Sequence, residues 1–221
     1  MSTTPPPDLH QPDVPEVLAT RQDALHGPSL RKRFIHFLQQ FRKQGVRLTL
    51  IEAAEQITRL TTGAPTLRYS RITPELYVGG QLLQKGWPIL RERGITAVVS
   101  MRGEFDDREA GLVASRYCYL PTVDNHAPTL AHLQQGVEFI HSEIQNGGRV
   151  YIHCWEGVGR APTMAAAYLV STGLPPDAAW ETIRRVRPFI RPMQMQIEQI
   201  ERFAALHQHE AVLEAEMDIH Q

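Results

Sequence analysis

Cys154 and Arg160 bracket a loop of five residues, Trp155-Glu156-Gly157-Val158-Gly159, two of which are glycines. A thiolate is a strong nucleophile, and a guanidinium is a planar fork that grips two oxygens of one anion. Held a short loop apart, the two are suited to attack on a bound phosphate. Upstream lies the apolar run Val150-Tyr151-Ile152-His153, and downstream the apolar stretch 164–170 follows Pro162. The pattern predicts a strand, a loop and a helix start. In such a turn the amides of residues 155–160 converge on one concave surface, to which the helix adds unpaired N–H groups and the positive end of its dipole. Gly157 and Gly159 allow left-handed backbone and close approach to a ligand, and Pro162 sits where a missing N–H costs little. The same amides and cation favour the ionised form of Cys154.

His153, Cys154, Gly157 and Arg160 match the His-Cys-x-x-Gly-x-x-Arg signature. The chain therefore resembles the cysteine-dependent protein tyrosine phosphatases, and its surroundings look most like their dual-specificity branch. The resemblance covers residues 68–206. It includes Tyr69-Ser70-Arg71-Ile72 with Gly79, Pro121-Thr122-Val123-Asp124, and Ile190-Arg191-Pro192 with Gln194, which resemble the subgroup containing mitochondrial phosphatidylglycerophosphate phosphatase. It implies hydrolysis of phosphomonoesters through a phosphocysteine, with Cys154 as nucleophile and Arg160 and residues Trp155, Glu156, Gly157, Val158 and Gly159 binding the phosphate. No cofactor or metal is implied, since the cation and the loop amides supply the charge stabilisation.

A general acid must protonate the leaving oxygen. Asp124 is the candidate, because it follows a strand end in a loop with His126 and Pro128 that can close over the phosphate, and it occupies the family's acid-loop position. Asp106 and Asp107 compete, since they too follow a strand end, and a turn role for Asp124 stays open. His153 is expected to orient the loop rather than act as a base. Ala161 departs from the resemblance: most relatives carry there a hydroxyl that assists breakdown of the phosphocysteine. The Arg-Ala-Pro sequence resembles that of the slow phosphatases of regenerating liver and implies sluggish turnover; Thr163 stands two residues on, and whether its hydroxyl takes that part is left open by the sequence. Glu156 in the loop, where phosphoinositide phosphatases often carry a cation, favours a monophosphate.

The elements that must position these groups follow from periodicity. The reading is α/β: a central, mostly parallel sheet flanked by helices, with an N-terminal helical extension. Strands are expected at 72–78, 95–101, 116–123 and 149–153, and helices at 87–93, 130–144, 160–171, 176–185 and 193–207, with a weak helix or frayed tail after 211. The expected divisions are a disordered leader over 1–28, rich in Pro, Asp and Gln; the extension over 29–66; the catalytic domain over 67–210; and the tail over 211–221. In the extension, Leu30, Phe34, Phe37, Leu38 and Phe41 predict one amphipathic helix, and Ile51, Ala54, Ile57 and Leu60 predict another. Seven basic and two acidic residues over 28–60 make a helical cap with a solvated basic face, or a peripheral membrane contact through residues 30–47.

A length of 221 residues, 42% apolar and 21% charged, is that of a globular chain, and a net charge of −1 excludes a general pull toward nucleic acid. Two cysteines do not make a disulfide framework, and the ten histidines lack paired-ligand spacing. Without an apolar leader or span, a cytoplasmic location is expected. Cys118 is expected to pack in a strand; some related phosphatases protect the oxidised nucleophile with a second Cys, and that role also stands open. Three functions are compatible: a phosphatase acting on phosphotyrosine, with phosphoserine and phosphothreonine, in proteins; a phospholipid monophosphate phosphatase; and a slow or trapped phosphate-binding module. The oligomeric state is not legible.

Overall fold

The computed structural model describes residues 45–111 and 114–219, with side chains through residue 207. The leader and the helix expected around residues 30–41 lie outside the described residues.

Four strands, β1 (Leu76–Gly79), β2 (Ala97–Arg102), β3 (Arg116–Thr122) and β4 (Val150–His153), form an entirely parallel sheet in the order β1-β4-β2-β3. Every residue of β1, β2 and β4 is buried, as expected of parallel strands covered on both faces. The helices are α1 (Val46–Thr62), α2 (Trp87–Glu92), α3 (Leu130–Gln145), α4 (Arg160–Ser171), α5 (Pro176–Val186) and α6 (Gln194–Ile219). Alternation along β4 feeds two cores. Val150 and Ile152 join Leu133, Ile140, Met164, Trp180 and Phe203 on the α3–α6 face, whereas Tyr151 joins Tyr77, Leu90 and Val98 on the α2 face.

Topology puts the chemistry at one edge. β4 lies between β1 and β2, with His153 level with Gly79 and Ser100. Cys154 thus leaves the sheet where the turns after β1, β2 and β3 also emerge, the carboxyl end at which parallel sheets bind ligands.

Two elements differ from expectation. α6 continues through Ile219, so the expected tail begins as part of a helix. In α1, the face turned inward is not the apolar set Ile51, Ala54, Ile57 and Leu60. Thr49, Glu52, Glu55 and Arg59 are buried, while Val46, Leu50 and Ile57 are more than half exposed. The helix is inside out because it lies against polar backbone and arginines rather than apolar core. Arg59, expected on a solvated basic face, is 3% exposed and donates to the Gln81 carbonyl.

Candidate active site

The loop after β4 is braced from behind. The Trp155 carbonyl accepts from the Gln81 amide, that of Glu156 from Arg187 Nη2 and Gln56 Nε2, that of Gly157 from Arg187 Nε, and that of Val158 from the Arg191 amide. Gly159's carbonyl accepts from the Thr163 amide and hydroxyl. With its carbonyls bonded outward, the loop keeps N–H groups for its concave side, an anion-binding nest. The Gly157 amide donates to Cys154 Sγ at 3.2 Å. Gly157 has φ +72°, and a Cβ there would collide with the Gly79 carbonyl, so the glycine of the signature is required by the end of β1.

Arg160, on the first turn of α4, is 2% exposed and points back across the loop mouth. Nη1 donates to Glu104 Oε2 (2.7 Å) and to the Thr122 carbonyl (2.9 Å); Nη2 donates to Glu104 Oε1 (3.1 Å) and pairs with Asp124 Oδ1 (2.9 Å). Its Nε is buried without an acceptor. A donor left unmet in a buried, cationic position is costly unless an anion completes it. Burial pulls the Arg160 pKa down, but Cys154, Glu104 and Asp124 outweigh it and the value is raised, so the fork stays charged.

Glu104 was absent from the residues singled out by sequence. Burial raises its pKa, but the hydrogen bonds and charge of Arg160, with Arg102, bring it down to about 2. A depressed carboxylate contributes stability that is present above its unfolded pKa and lost as pH falls through the folded one. The Glu104 contribution should vanish between about pH 4.5 and 2. Glu104→Gln is expected to lower Tm at pH 7 and to flatten its fall on acidification over that window. Parallel melting curves of the two proteins check this, and identical curves would remove Glu104 as the partner that holds Arg160.

The other expected residues are placed as follows. Asp107 is 1% exposed; its Oδ2 lies 2.6 Å from His153 Nε2 and its Oδ1 accepts from Gln81 Nε2 at 2.7 Å. Gln81 Oε1 accepts from Arg102 Nη1, and Arg102 Nε donates to Glu104. A polar chain, buried except at Glu104, thus runs from His153 through Asp107, Gln81, Arg102 and Glu104 to Arg160, joining the two ends of the loop. Asp106 caps the short helical turn Asp107–Ala110 and pairs with Arg108 and the Tyr117 hydroxyl. Both competitors of Asp124 are therefore committed elsewhere. Asp124 lies in an exposed turn, reaching Arg160 through Oδ1.

Trp155 has the guanidinium of Arg102 4.8 Å and that of Arg59 5.6 Å from its ring centroid. The Glu156 carboxylate lies 3.6 Å from Arg191 Nη2, and Arg191 is gripped by both oxygens of Glu52. Ala161 is fully buried. Thr163, whose hydroxyl the sequence leaves open as a substitute, donates it to the Gly159 carbonyl at 2.9 Å, the i−4 bond open to a helical threonine. Cys118 pairs across β2 Val99 with the level of Ile152 on β4, two strand spacings or about 10 Å away, beyond the roughly 7 Å limit for a disulfide. Its burial pushes the thiol up to about 11, and it packs in the core with Val99 and Ile152.

Among the described residues there is no group of three or more His, Cys, Asp or Glu side chains able to hold a metal ion, and no helix is long and apolar enough to cross a membrane. Residues 75–174 match a family profile described as "Tc-R-P: Polymorphic toxin system, DSP-PTPase phosphatase". The chain is 29% identical over 126 residues to the phosphatidylglycerophosphate phosphatase PTPMT1 of Arabidopsis thaliana, covering 54% of this chain and 37% of the relative. It is 31% identical over 123 residues to human dual specificity protein phosphatase 1, covering 55% and 33%. The chain thus spans little more than a third of the length of these curated relatives. Among solved structures, PTPMT1 in complex with PI(5)P superposes with a TM-score of 0.58 at 27% identity, covering 65% of this chain and 99% of that one. Human DUSP28, at 22% identity and a TM-score of 0.58, shares the fold.

Proposed function

Because the chain carries a domain of the dual-specificity branch of the cysteine-based protein tyrosine phosphatase superfamily, we propose that it hydrolyses phosphomonoesters through a phosphocysteine. Phosphotyrosine in proteins is its main substrate, with phosphoserine and phosphothreonine secondary. The observation that carries the reading is the pairing of Cys154 Sγ, at the Gly157 amide, with the unmet Arg160 Nε. A phosphate seated on the loop amides completes that donor. The Cys154 thiolate attacks phosphorus, the P–S bond forms as the ester P–O bond breaks, and Asp124 gives its proton to the leaving oxygen. Water then attacks the phosphocysteine, the Asp124 carboxylate takes a proton from it, and phosphate and thiolate separate. A free cysteine nucleophile suits a reducing, cytoplasmic compartment.

A single phosphate is favoured over several. Two of the other cations beside the loop are matched by carboxylates, Arg102 by Glu104 and Arg191 by Glu52. Val123, beside Asp124, and Met193, whose amide is held by Gln196 against Gly159, are each nearly half exposed and offer an apolar mouth for an aryl ring. A phosphotyrosyl peptide is expected to show kcat/KM at least about tenfold above a phosphoseryl peptide and above phosphatidylglycerophosphate in vesicles, one decade being about 1.4 kcal/mol. A higher value on the vesicles would transfer the function to the lipid.

That second reading, a phospholipid monophosphate phosphatase, is favoured by the outward apolar face of α1, with Val46, Leu50 and Ile57 exposed beside Arg47. Co-sedimentation of the full chain with anionic vesicles tests it, with Leu50→Glu/Ile57→Glu as the control. Deleting α1 is unsuitable, because Gln56 and Glu52 brace the catalytic loop.

A further inference from the structure

The segment bearing Asp124 has no regular structure of its own. Residues 123–126 form an exposed turn closed by the His126 amide on the Val123 carbonyl, with Asn125 at φ +61°. Such a turn has few contacts to hold it over the pocket, and an acid loop must be held there to work. Two glutamines of α6 do reach it. Gln196 Nε2 donates to the His126 carbonyl at 2.8 Å, and Gln199 Nε2 donates to the Pro128 carbonyl at 2.7 Å.

Gln196 is 1% exposed, and its orientation is unambiguous because its Oε1 accepts from the Met193 amide at 2.9 Å. It also abuts the catalytic loop, since a Cβ on Gly159 would meet its Oε1 at 3.2 Å. One carboxamide therefore touches the start of α6, the phosphate loop and the acid loop. Three positions on, Gln199 falls on the same helix face and takes the Pro128 carbonyl, two residues further along the loop.

We infer that Gln196 and Gln199 are positioning residues that latch the acid loop over the phosphate pocket, so that Asp124 meets the leaving oxygen. The inference rests on the phosphatase reading and adds the device that makes its acid step efficient. Neither glutamine touches the reacting atoms; each acts through the backbone that carries Asp124. Loss of a latch therefore lowers the population of the closed loop without altering the nucleophile. A neutral hydrogen bond of ordinary strength corresponds to a change in that population of roughly three- to tenfold.

The test compares phenyl phosphate, whose leaving group needs a proton, with 2,4-dinitrophenyl phosphate, whose leaving group does not. Gln199→Met, away from the catalytic loop, and Gln196→Met are each expected to lower kcat/KM, which reads formation of the phosphocysteine and not its slow breakdown, by roughly three- to tenfold on phenyl phosphate and by less than about twofold on the dinitrophenyl ester. In an Asp124→Asn background both losses should disappear, because an absent acid cannot be mispositioned. Equal losses on the two esters, or undiminished losses in the Asp124→Asn background, would make the glutamines merely structural and overturn the latch. Absence of Cys154-dependent release from the dinitrophenyl ester by the unaltered protein would instead overturn the phosphatase reading, and the latch with it.

Discussion

Cys154→Ser is expected to abolish turnover of para-nitrophenyl phosphate, a loss of about 10⁴-fold or more, without added metal and without loss of fold. The serine hydroxyl has the position of the thiol at the Gly157 amide but is far less ionised, and the adjoining His153 is tied to Asp107 rather than offered as a base. Rapid mixing of the unaltered protein should show a burst approaching one equivalent of nitrophenol, followed by slow turnover. The slow phase follows from residue 161: Ala161 has no hydroxyl, and Thr163 spends its own on the Gly159 carbonyl. Ala161→Ser should accelerate the slow phase by roughly tenfold and shrink the burst, as lowering the barrier to breakdown by about 1.4 kcal/mol would do. A protein that binds phosphate and releases no nitrophenol, even in a single turnover, would be a phosphate-binding module.

Arg160→Lys is the second large effect. A lysine ammonium is a point charge and cannot serve Glu104, Asp124, the Thr122 carbonyl and a phosphate at once, as the guanidinium does. The substitution is expected to cost about 10²–10³ in kcat/KM, the range for losing a preorganised donor to a developing oxyanion. It also removes the main source of the low Glu104 pKa, so stability at pH 7 should fall and its loss on acidification between about pH 4.5 and 2 should flatten. Activity within about tenfold of the unaltered protein would mean that the loop amides alone carry the phosphate. Glu104→Gln in the same background should then add little further destabilisation, because the charge it answers is no longer held in place.

Much of this architecture is legible in sequence because it is local. The apolar run of β4, the glycines of the loop and the helix start at Arg160 are neighbours in the chain, and their order alone predicts strand, turn and anion site. The ends of β2, β3 and α3 are marked likewise by polar turns and by Gly147-Gly148. The wider family resemblance adds Asp124 as the candidate acid, and the fold brings its carboxylate to Arg160.

What sequence could not supply is long-range pairing. Glu104 and Arg160 are 56 residues apart, Asp107 and His153 are 46, Gln196 and the His126 carbonyl 70, and Glu52 and Arg191 139. A pair of polar side chains leaves no periodic trace in a chain, so each reads as an ordinary surface residue until folding sets its partner opposite. α1 shows the same limit from the other side. Its apolar spacing correctly marks a helix but implies the wrong buried face, because hydrophobic periodicity assumes an apolar neighbour. The neighbour here is the back of the phosphate loop, whose carbonyls and arginines reward Glu52, Glu55, Gln56 and Arg59. The sequence by itself marked Cys154, Arg160 and the order of elements. Only the tertiary structure decided which carboxylates hold the Arg160 guanidinium and which side chains reach the segment bearing Asp124, because those bonds exist only between segments that the sheet brings together.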